Sequence, residues 1–134
     1  FNNPVHAVSL GPEGHLYICD RKNDRVQVFD AVGKSEARFI REIELNRESP
    51  FGTTFNLVFT PDGRFMLIND GSHSRLWVVD VAAWEYVGDF SIPGTDESDL
   101  AGTTHKITSD AAGNLLLART AAGVAWLRCE GLAQ

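Results

Sequence analysis

The chain has 134 residues, 43% apolar and 22% charged, which fits one modest globular domain. Its formal net charge is −6, so its field repels phosphate backbones and excludes nucleic acid as an expected partner. No apolar run reaches the roughly 20 residues of a membrane-spanning helix, and no signal peptide pattern opens the chain, so no membrane partner is expected.

The first fifty residues predict four short strands joined by turns. The apolar runs cover residues 6–10, 15–20, 25–30 and 38–45, and the turn Pro12-Glu13-Gly14 separates the first two. Alternating apolar residues bounded by Gly, Pro and Asp are typical of strands in an antiparallel meander.

The next segment repeats this order. Runs at 56–60, 65–70, 75–80 and 85–92 are predicted strands, and Pro61-Asp62-Gly63 supplies the matching turn. A weaker third unit contains SDAAGNLLLART from Ser109 and supports three strands that end near Cys129. No stretch shows helical periodicity.

Two segments share the pattern D-x4-R-[VL]-x-V-[FV]-D at an offset of fifty residues: DRKNDRVQVFD at 20–30 and DGSHSRLWVVD at 70–80. Four strands that recur at this period predict an all-β fold of β-propeller blades, each a four-stranded antiparallel meander. We place the blades at about residues 4–46, 53–93 and 102–130, with the third incomplete.

The repeated Asp and Arg predict a structural contact. Asp20 ends one strand and Arg25 begins the next, so a carboxylate and a guanidinium flank the same turn and can pair across it. Asp70 and Arg75 occupy the same places in the second unit. We interpret all four as structural repeat residues rather than catalytic ones.

The segment GPEGHLYICDRKNDRVQVF resembles the NHL repeat. Asp20, Asn23, Arg25, Gln27 and Phe29 fit its signature, which has Asp, then Asn, Arg, an aliphatic residue, Gln and an aromatic. The second unit departs from it at His73 and Trp77. The resemblance implies an NHL-type propeller, which typically has six blades, so the chain corresponds to half of a ring.

Half a ring leaves apolar blade faces and sheet edges uncovered. Either the chain is a fragment of a longer protein that supplies the missing blades, or two copies self-associate about a two-fold axis. Because the chain begins at Phe1 rather than at Met, we favour the fragment.

Two histidines lie at equivalent places in the first and third units. His6 precedes Asp20 by fourteen residues, and His105 precedes Arg119 by the same distance. In the second unit the equivalent position is Asn56 when counted back from Asp70, or Phe55 when counted from the Pro-Asp-Gly turn. The first strand of a propeller blade lines the central channel, so His6 and His105 are candidate ligands for a divalent metal such as zinc. The alternative is that both merely line the channel wall.

The two histidines also resemble the zinc ligands of peptidyl-hydroxyglycine amidating lyase, an NHL-type propeller. That resemblance implies a metal-dependent lyase or hydrolase as one function. The other function is a non-catalytic scaffold that binds a protein or a small molecule at the channel, and we favour it slightly. Propellers host many functions, so the fold does not choose between them.

The remaining candidates are given structural interpretations. His15 and His73 are expected at the surface, and the acidic segment GTDESD at 94–99 is expected to be a solvated loop rather than a calcium site. The three tryptophans are expected to pack between blades: Trp77, Trp84 and Trp126. Cys19 and Cys129 are expected to be free thiols.

Overall fold

The fold is a series of antiparallel sheets, seen in a computed structural model that describes residues 1–45, 49–94 and 103–130. The first sheet contains β1 (Ala7–Leu10), β2 (Leu16–Asp20), β3 (Arg25–Asp30) and β4 (Arg38–Glu44). The second contains β5 (Thr54–Phe59), β6 (Phe65–Asp70), β7 (Arg75–Asp80) and β8 (Glu85–Ser91). The third contains β9 (Thr104–Ser109), β10 (Leu115–Arg119) and β11 (Gly123–Leu127).

In each sheet the strands follow one another in chain order, and all neighbours pair antiparallel. The predicted all-β class of propeller blades is therefore confirmed. The helical content of the described ranges is one 3₁₀ turn at Arg21–Asn23, which makes the tight connection between β2 and β3. No helix within those ranges has the length and apolarity needed to cross a membrane.

The Pro-x-Gly turns join the inner two strands of each of the first two sheets. Gly63 has a φ of 70°, a left-handed conformation that favours glycine. A Cβ on Gly63 would approach Pro12 of the preceding sheet to 2.9 Å. The same turn therefore fixes both the hairpin and the close approach of neighbouring sheets.

Two apolar layers form the core, one on each side of the second sheet. Alternation along β6 explains this, because successive side chains of a strand point to opposite faces. Met66 and Ile68 are buried against the first sheet, and Leu67 is buried against the third. The first layer also contains Tyr17, Cys19, Val26, Val28, Leu57 and Val79, and the second contains Leu76, Ile92, Ile107, Leu115 and Leu117.

The first strand of each sheet is the innermost, because β5 contacts both β1 and β9. Asn56 on β5 bridges to the next sheet. Its side-chain oxygen accepts from the Ile107 amide at 2.7 Å, and its amide donates to the Ile107 carbonyl at 3.2 Å. This buried amide thus links two inner strands as a backbone pair would.

The outward faces of the first and third sheets expose apolar side chains. Val8 and Leu10 on β1 are each 60% exposed, and Val124 on β11 is 74% exposed. They alternate with residues that pack inward, such as Ala7 and Ala125.

Candidate functional site

The candidate site lies where the inner strands begin, and β-bulges shape it. In β5, Thr54 pairs with Asp70 and Asn56 pairs with Asn69, so Phe55 is the extra residue of a bulge. This bulge also explains why β5 begins at Thr54 rather than at the predicted Asn56. A bulge changes the direction of a side chain at a strand end.

The third sheet has the same bulge. Thr104 pairs with Arg119 and Lys106 pairs with Ala118, so His105 takes the place of Phe55. In the first sheet Ala7 pairs with Cys19, which puts His6 at the corresponding place. The uncertain position of the second unit is therefore Phe55 and not Asn56.

The rings of these three equivalent residues contact one another. The ring centroids of His6 and His105 are 4.8 Å apart, those of His6 and Phe55 are 5.0 Å apart, and those of Phe55 and His105 are 5.7 Å apart. The structure thus brings together the two histidines that the sequence predicted to face one channel. We call His6, Phe55 and His105 the ring cluster.

His6 is held in one orientation by a backbone contact. Its Nδ1 lies 2.5 Å from the Phe55 carbonyl oxygen, and since a carbonyl only accepts, Nδ1 carries the proton and Nε2 is the free lone pair. Burial is the largest influence on the pKa of His6 and lowers it, and the charges of His105, Arg21 and Lys106 lower it further against the Phe55 hydrogen bond. The lowered pKa favours the neutral imidazole of His6.

Arg21 adds a cation to the ring cluster. Its guanidinium carbon lies 3.9 Å from the centroid of the Phe55 ring, a cation–π contact. Its Nε is buried without a hydrogen-bond partner, and burial lowers the pKa of the guanidinium from its usual value. The 3₁₀ turn sets this position, since the Arg21 carbonyl packs where a Cβ on Gly52 would come within 2.1 Å.

An open cavity of about 200 Å³ adjoins the ring cluster. Aromatic rings and hydroxyl groups dominate its described walls, in which Arg21 is the charged residue and no carboxylate occurs. The lining residues are Arg21, Phe51, Phe55, Gly71, Ser72, Thr103, His105 and Thr120. We call this the mouth cavity.

The donor set for a metal is partial. His6 offers Nε2, and its Nδ1 contact with a carbonyl is the usual support for a metal-bound imidazole. The described ranges contain no group of three or more His, Cys, Asp or Glu placed to hold one ion. Two imidazoles would supply two of the four ligands of a tetrahedral zinc site, and water or further protein groups would have to supply the others.

The predicted Asp–Arg pair forms in the first unit. Arg25 donates from Nε and Nη2 to Asp20 Oδ2, each at 2.9 Å, and Asn23 donates to the same oxygen at 2.7 Å. Arg25 also contacts Glu42 on β4 at 3.2 Å. Asp20 is fully buried, so this fork ties the turn to the outer strand.

In the second unit the predicted pairing of Asp70 with Arg75 is wrong. The contacts among the described residues give each of the two side chains other partners. Asp70 accepts from His73 Nδ1 at 2.9 Å and from Trp77 Nε1 at 3.1 Å. Arg75 contacts Asp89 on β8 instead. His73 and Trp77 stand where the first unit has Asn23 and Gln27, and they supply the two side-chain donors to Asp70.

His73 is therefore not the surface residue that the sequence predicted. Its side chain is 20% exposed and is fixed against a fully buried carboxylate. His15 lies beside Glu13, with 3.8 Å between Nδ1 and Oε1, and a third of its side chain is exposed.

The tryptophans are divided. Trp77 and Trp84 pack against the core between the first two sheets, but Trp126 is 57% exposed on the outward face of the third. Cys19 and Cys129 are free thiols. Residues 95–99 of the acidic segment lie outside the described residues.

The sequence missed two site residues, Phe55 and Arg21. Phe55 was one of two possible positions, and only the bulge decides it. Arg21 carried no signal, because the equivalent residue of the second unit is Gly71. A Cβ on Gly71 would lie 2.7 Å from the Phe55 ring, so that glycine is required for the ring to occupy its place.

Comparison with known proteins agrees with the fold. The NHL repeat profile matches residues 1–29. NHL repeat-containing protein 3 from Homo sapiens is 32% identical over 97 residues, which are 71% of this chain and 26% of that protein. The Mus musculus protein gives the same figures. The chain spans about a quarter of the length of these relatives.

Solved structures show the same architecture. A periplasmic gluconolactonase from Pseudomonas aeruginosa matches with a TM-score of 0.66 and 21% identity, over 96% of this chain and 36% of that one. Virginiamycin B lyase from Staphylococcus aureus matches with a TM-score of 0.65 and 16% identity, over 97% of this chain and 44% of that one. At these identities the likeness is one of fold. The NHL repeat profile over residues 1–29 and the 32% identity to NHL repeat-containing protein 3 show that the chain belongs to the NHL-repeat family.

Proposed function

We propose that this chain is the ligand-binding part of an NHL-type propeller, with the ligand held at the channel mouth. One observation carries the proposal: His6 and His105, from the first and third blades, meet with ring centroids 4.8 Å apart. The mouth cavity opens beside them. Convergent polar groups beside an open, partly apolar cavity are the usual form of a binding site.

The described residues are sufficient for a binding role. The ring cluster provides flat aromatic surfaces, and the mouth cavity adds hydroxyl groups and one cation. Two propellers of similar fold carry the names of a lactonase and a lyase, but fold alone does not transfer activity.

The test is binding of a small-fragment library of mixed charge to the isotope-labelled full chain, followed by NMR. Fragments should shift the signals of His6, Phe55 and His105, and His105→Ala should remove most of that binding. His15→Ala is the matched control, because His15 lies on a different turn. Fragments that leave all three signals unmoved would contradict a ligand site at the mouth.

The second candidate is a metal-dependent lyase or hydrolase, and the orientation of His6 favours it. A Phe55 carbonyl that fixes Nδ1 leaves Nε2 directed to other partners. His6 and His105 would hold a divalent metal such as zinc, with other ligands from water or from further blades. Bound zinc would polarise a carbonyl or activate a water molecule.

Zinc calorimetry on the full chain separates this candidate from the first. Binding should weaken strongly in both His6→Ala and His105→Ala and stay unchanged in His15→Ala. No heat in the parent, or equal binding in every variant, would assign the two imidazoles to the channel wall.

The uncovered sheet faces support a proposal on partners. Val8 and Leu10 on one side, and Val124 and Trp126 on the other, are 57% or more exposed. Additional blades of a longer chain, or a second copy, would cover them.

A further inference from the structure

Arg21 has an arrangement that calls for an anion. No carboxylate of residues 1–45, 49–94 or 103–130 forms an ion pair with it, and its Nε is buried and unpartnered. A half-buried guanidinium normally has a charged or hydrogen-bonded partner, because a buried donor without a hydrogen bond costs free energy.

The charges around the mouth cavity also favour an anion. Among the residues that the structure describes, Arg21 is the one charged residue of the lining, and none of them is Asp or Glu. Lys106 is near enough to lower the pKa of His6, so a second cation acts on the same region. In a chain with a net charge of −6, this local positive charge, which no carboxylate of the described lining offsets, favours a negative ligand.

The walls of the cavity indicate the rest of the ligand. Phe51 is 52% exposed and lies at the edge of the cavity, and Phe55 forms its floor beneath the guanidinium. Ser72 Oγ donates to the Gly52 carbonyl and Thr120 Oγ1 donates to the Thr103 carbonyl, so both hydroxyl hydrogens are used within the protein and Arg21 is left as the donor for an anion. The cavity thus has one cationic side and one aromatic side.

The volume sets the size. About 200 Å³ exceeds the roughly 150 Å³ of an apolar cavity that holds one benzene molecule. One ring-sized apolar group with a carboxylate attached fits this space.

We propose that the mouth cavity binds a small organic carboxylate, whose oxygens pair with the Arg21 guanidinium while its apolar part lies against Phe51. Arginine suits this task because its planar fork matches the two oxygens of a carboxylate. The inference rests on the proposed ligand-binding function and narrows its ligand class.

Benzoate is the probe, with benzamide as its neutral counterpart and benzylamine as its cationic one, each titrated into the labelled full chain. Benzoate should bind about tenfold or more tightly than benzamide and should shift the Ser72 and Thr103 amides. Inorganic phosphate, which lacks the apolar part, should bind more weakly than benzoate. Equal binding of benzoate and benzamide, or tighter binding of phosphate, would overturn the proposal.

Variants test the two halves of the site separately. Arg21→Gln should weaken benzoate about tenfold or more, and Arg21→Lys should restore part of the loss. Arg64→Gln is the matched control, because Arg64 also stacks on a phenylalanine, 4.7 Å from the Phe65 centroid, but at the opposite end of the sheets.

Phe51→Ser is the second variant, for the case that Arg21→Gln does not fold. Because Phe51 is half exposed, its replacement should not prevent folding. This variant should weaken benzoate and leave acetate binding unchanged, and an unchanged affinity for benzoate contradicts the proposed aromatic side. If benzamide or benzylamine binds at the ring cluster and benzoate does not, the proposed preference for a carboxylate is wrong, but the proposed ligand site is retained. If none of the three aromatic probes binds and the fragment library also leaves the ring cluster unmoved, both proposals fall.

Discussion

Phe55 and His105 occupy the same bulge of consecutive inner strands, and their rings meet edge to face with centroids 5.7 Å apart and an interplanar angle of 90°. The position of each ring therefore depends on the other. Because Phe55 also contacts His6 and Arg21, it connects the histidines to the mouth cavity. Changes that move this one ring should alter the whole site.

Gly71→Ala is expected to move it. The added Cβ would lie 2.7 Å from the Phe55 ring, and an overpacked core of this kind costs about 1–3 kcal/mol of unfolding free energy. Chemical denaturation measures the loss, and the NMR signals of His6 and His105 should shift in the same variant. In a Phe55→Leu background the added methyl should cost less, and equal costs in both backgrounds would contradict the contact.

Asp20 should stabilise the fold most at neutral pH. Burial acts to raise its pKa, but hydrogen bonds from Asn23, the Asn2 amide and Arg25 outweigh burial and leave the pKa below the ordinary value. A lowered pKa in the folded state gives stability that is present above the ordinary carboxyl pKa of about 3.9 and is lost as the pH falls through the folded value. The loss of unfolding free energy in Asp20→Asn should shrink on acidification from about pH 7 to about pH 3.

Asp70 should show the opposite trend. Burial raises its pKa, and the hydrogen bonds from Trp77 and His73 offset this only in part. A raised pKa favours the folded state below the ordinary carboxyl pKa, and that gain is lost as the pH rises through the folded value. The cost of Asp70→Asn should thus grow on acidification. Denaturant titrations at several pH values check both variants, and parallel profiles would contradict the different surroundings of the two carboxylates.

The fold followed from features that repeat. Gly63 and its Pro-x-Gly turn, and the alternation of Met66, Leu67 and Ile68, are local properties that the sequence states directly. The fifty-residue period then predicted how many sheets to expect, because equivalent sheets need equivalent turns and strands.

The site depended on features that do not repeat. His6 and His105 could be aligned by their spacing, but Arg21 has a glycine as its equivalent and so had no counterpart to reveal it. The second unit has His73 where the first has Asn23, and His73 donates to Asp70 while Arg75 pairs with Asp89. The spacing of the residues could not show this change of partner. Partner choice of this kind depends on geometry several residues away.

Asn56→Ala should loosen the junction between the second and third sheets. The change leaves the Ile107 amide and carbonyl without their side-chain partner in a buried place, which costs about 1–3 kcal/mol. Hydrogen exchange at the Ile107 amide should accelerate in the variant. Unchanged protection there would show that this amide opens independently of the Asn56 contact.

The isolated 134-residue chain should self-associate through its uncovered sheet faces. Val124 is 74% exposed on one outward face and Val8 is 60% exposed on the other, and burial of apolar area contributes about 25 cal/mol per Å². Sedimentation velocity at micromolar concentration should detect dimers or larger species, and Val124→Lys should shift the distribution towards monomer. Val87→Lys is the matched control, because Val87 is 54% exposed at the bulge of β8 in the middle sheet, away from the outward faces of the first and third sheets. A monodisperse monomer of the parent chain would show that these faces tolerate water and that no further blades are needed for stability.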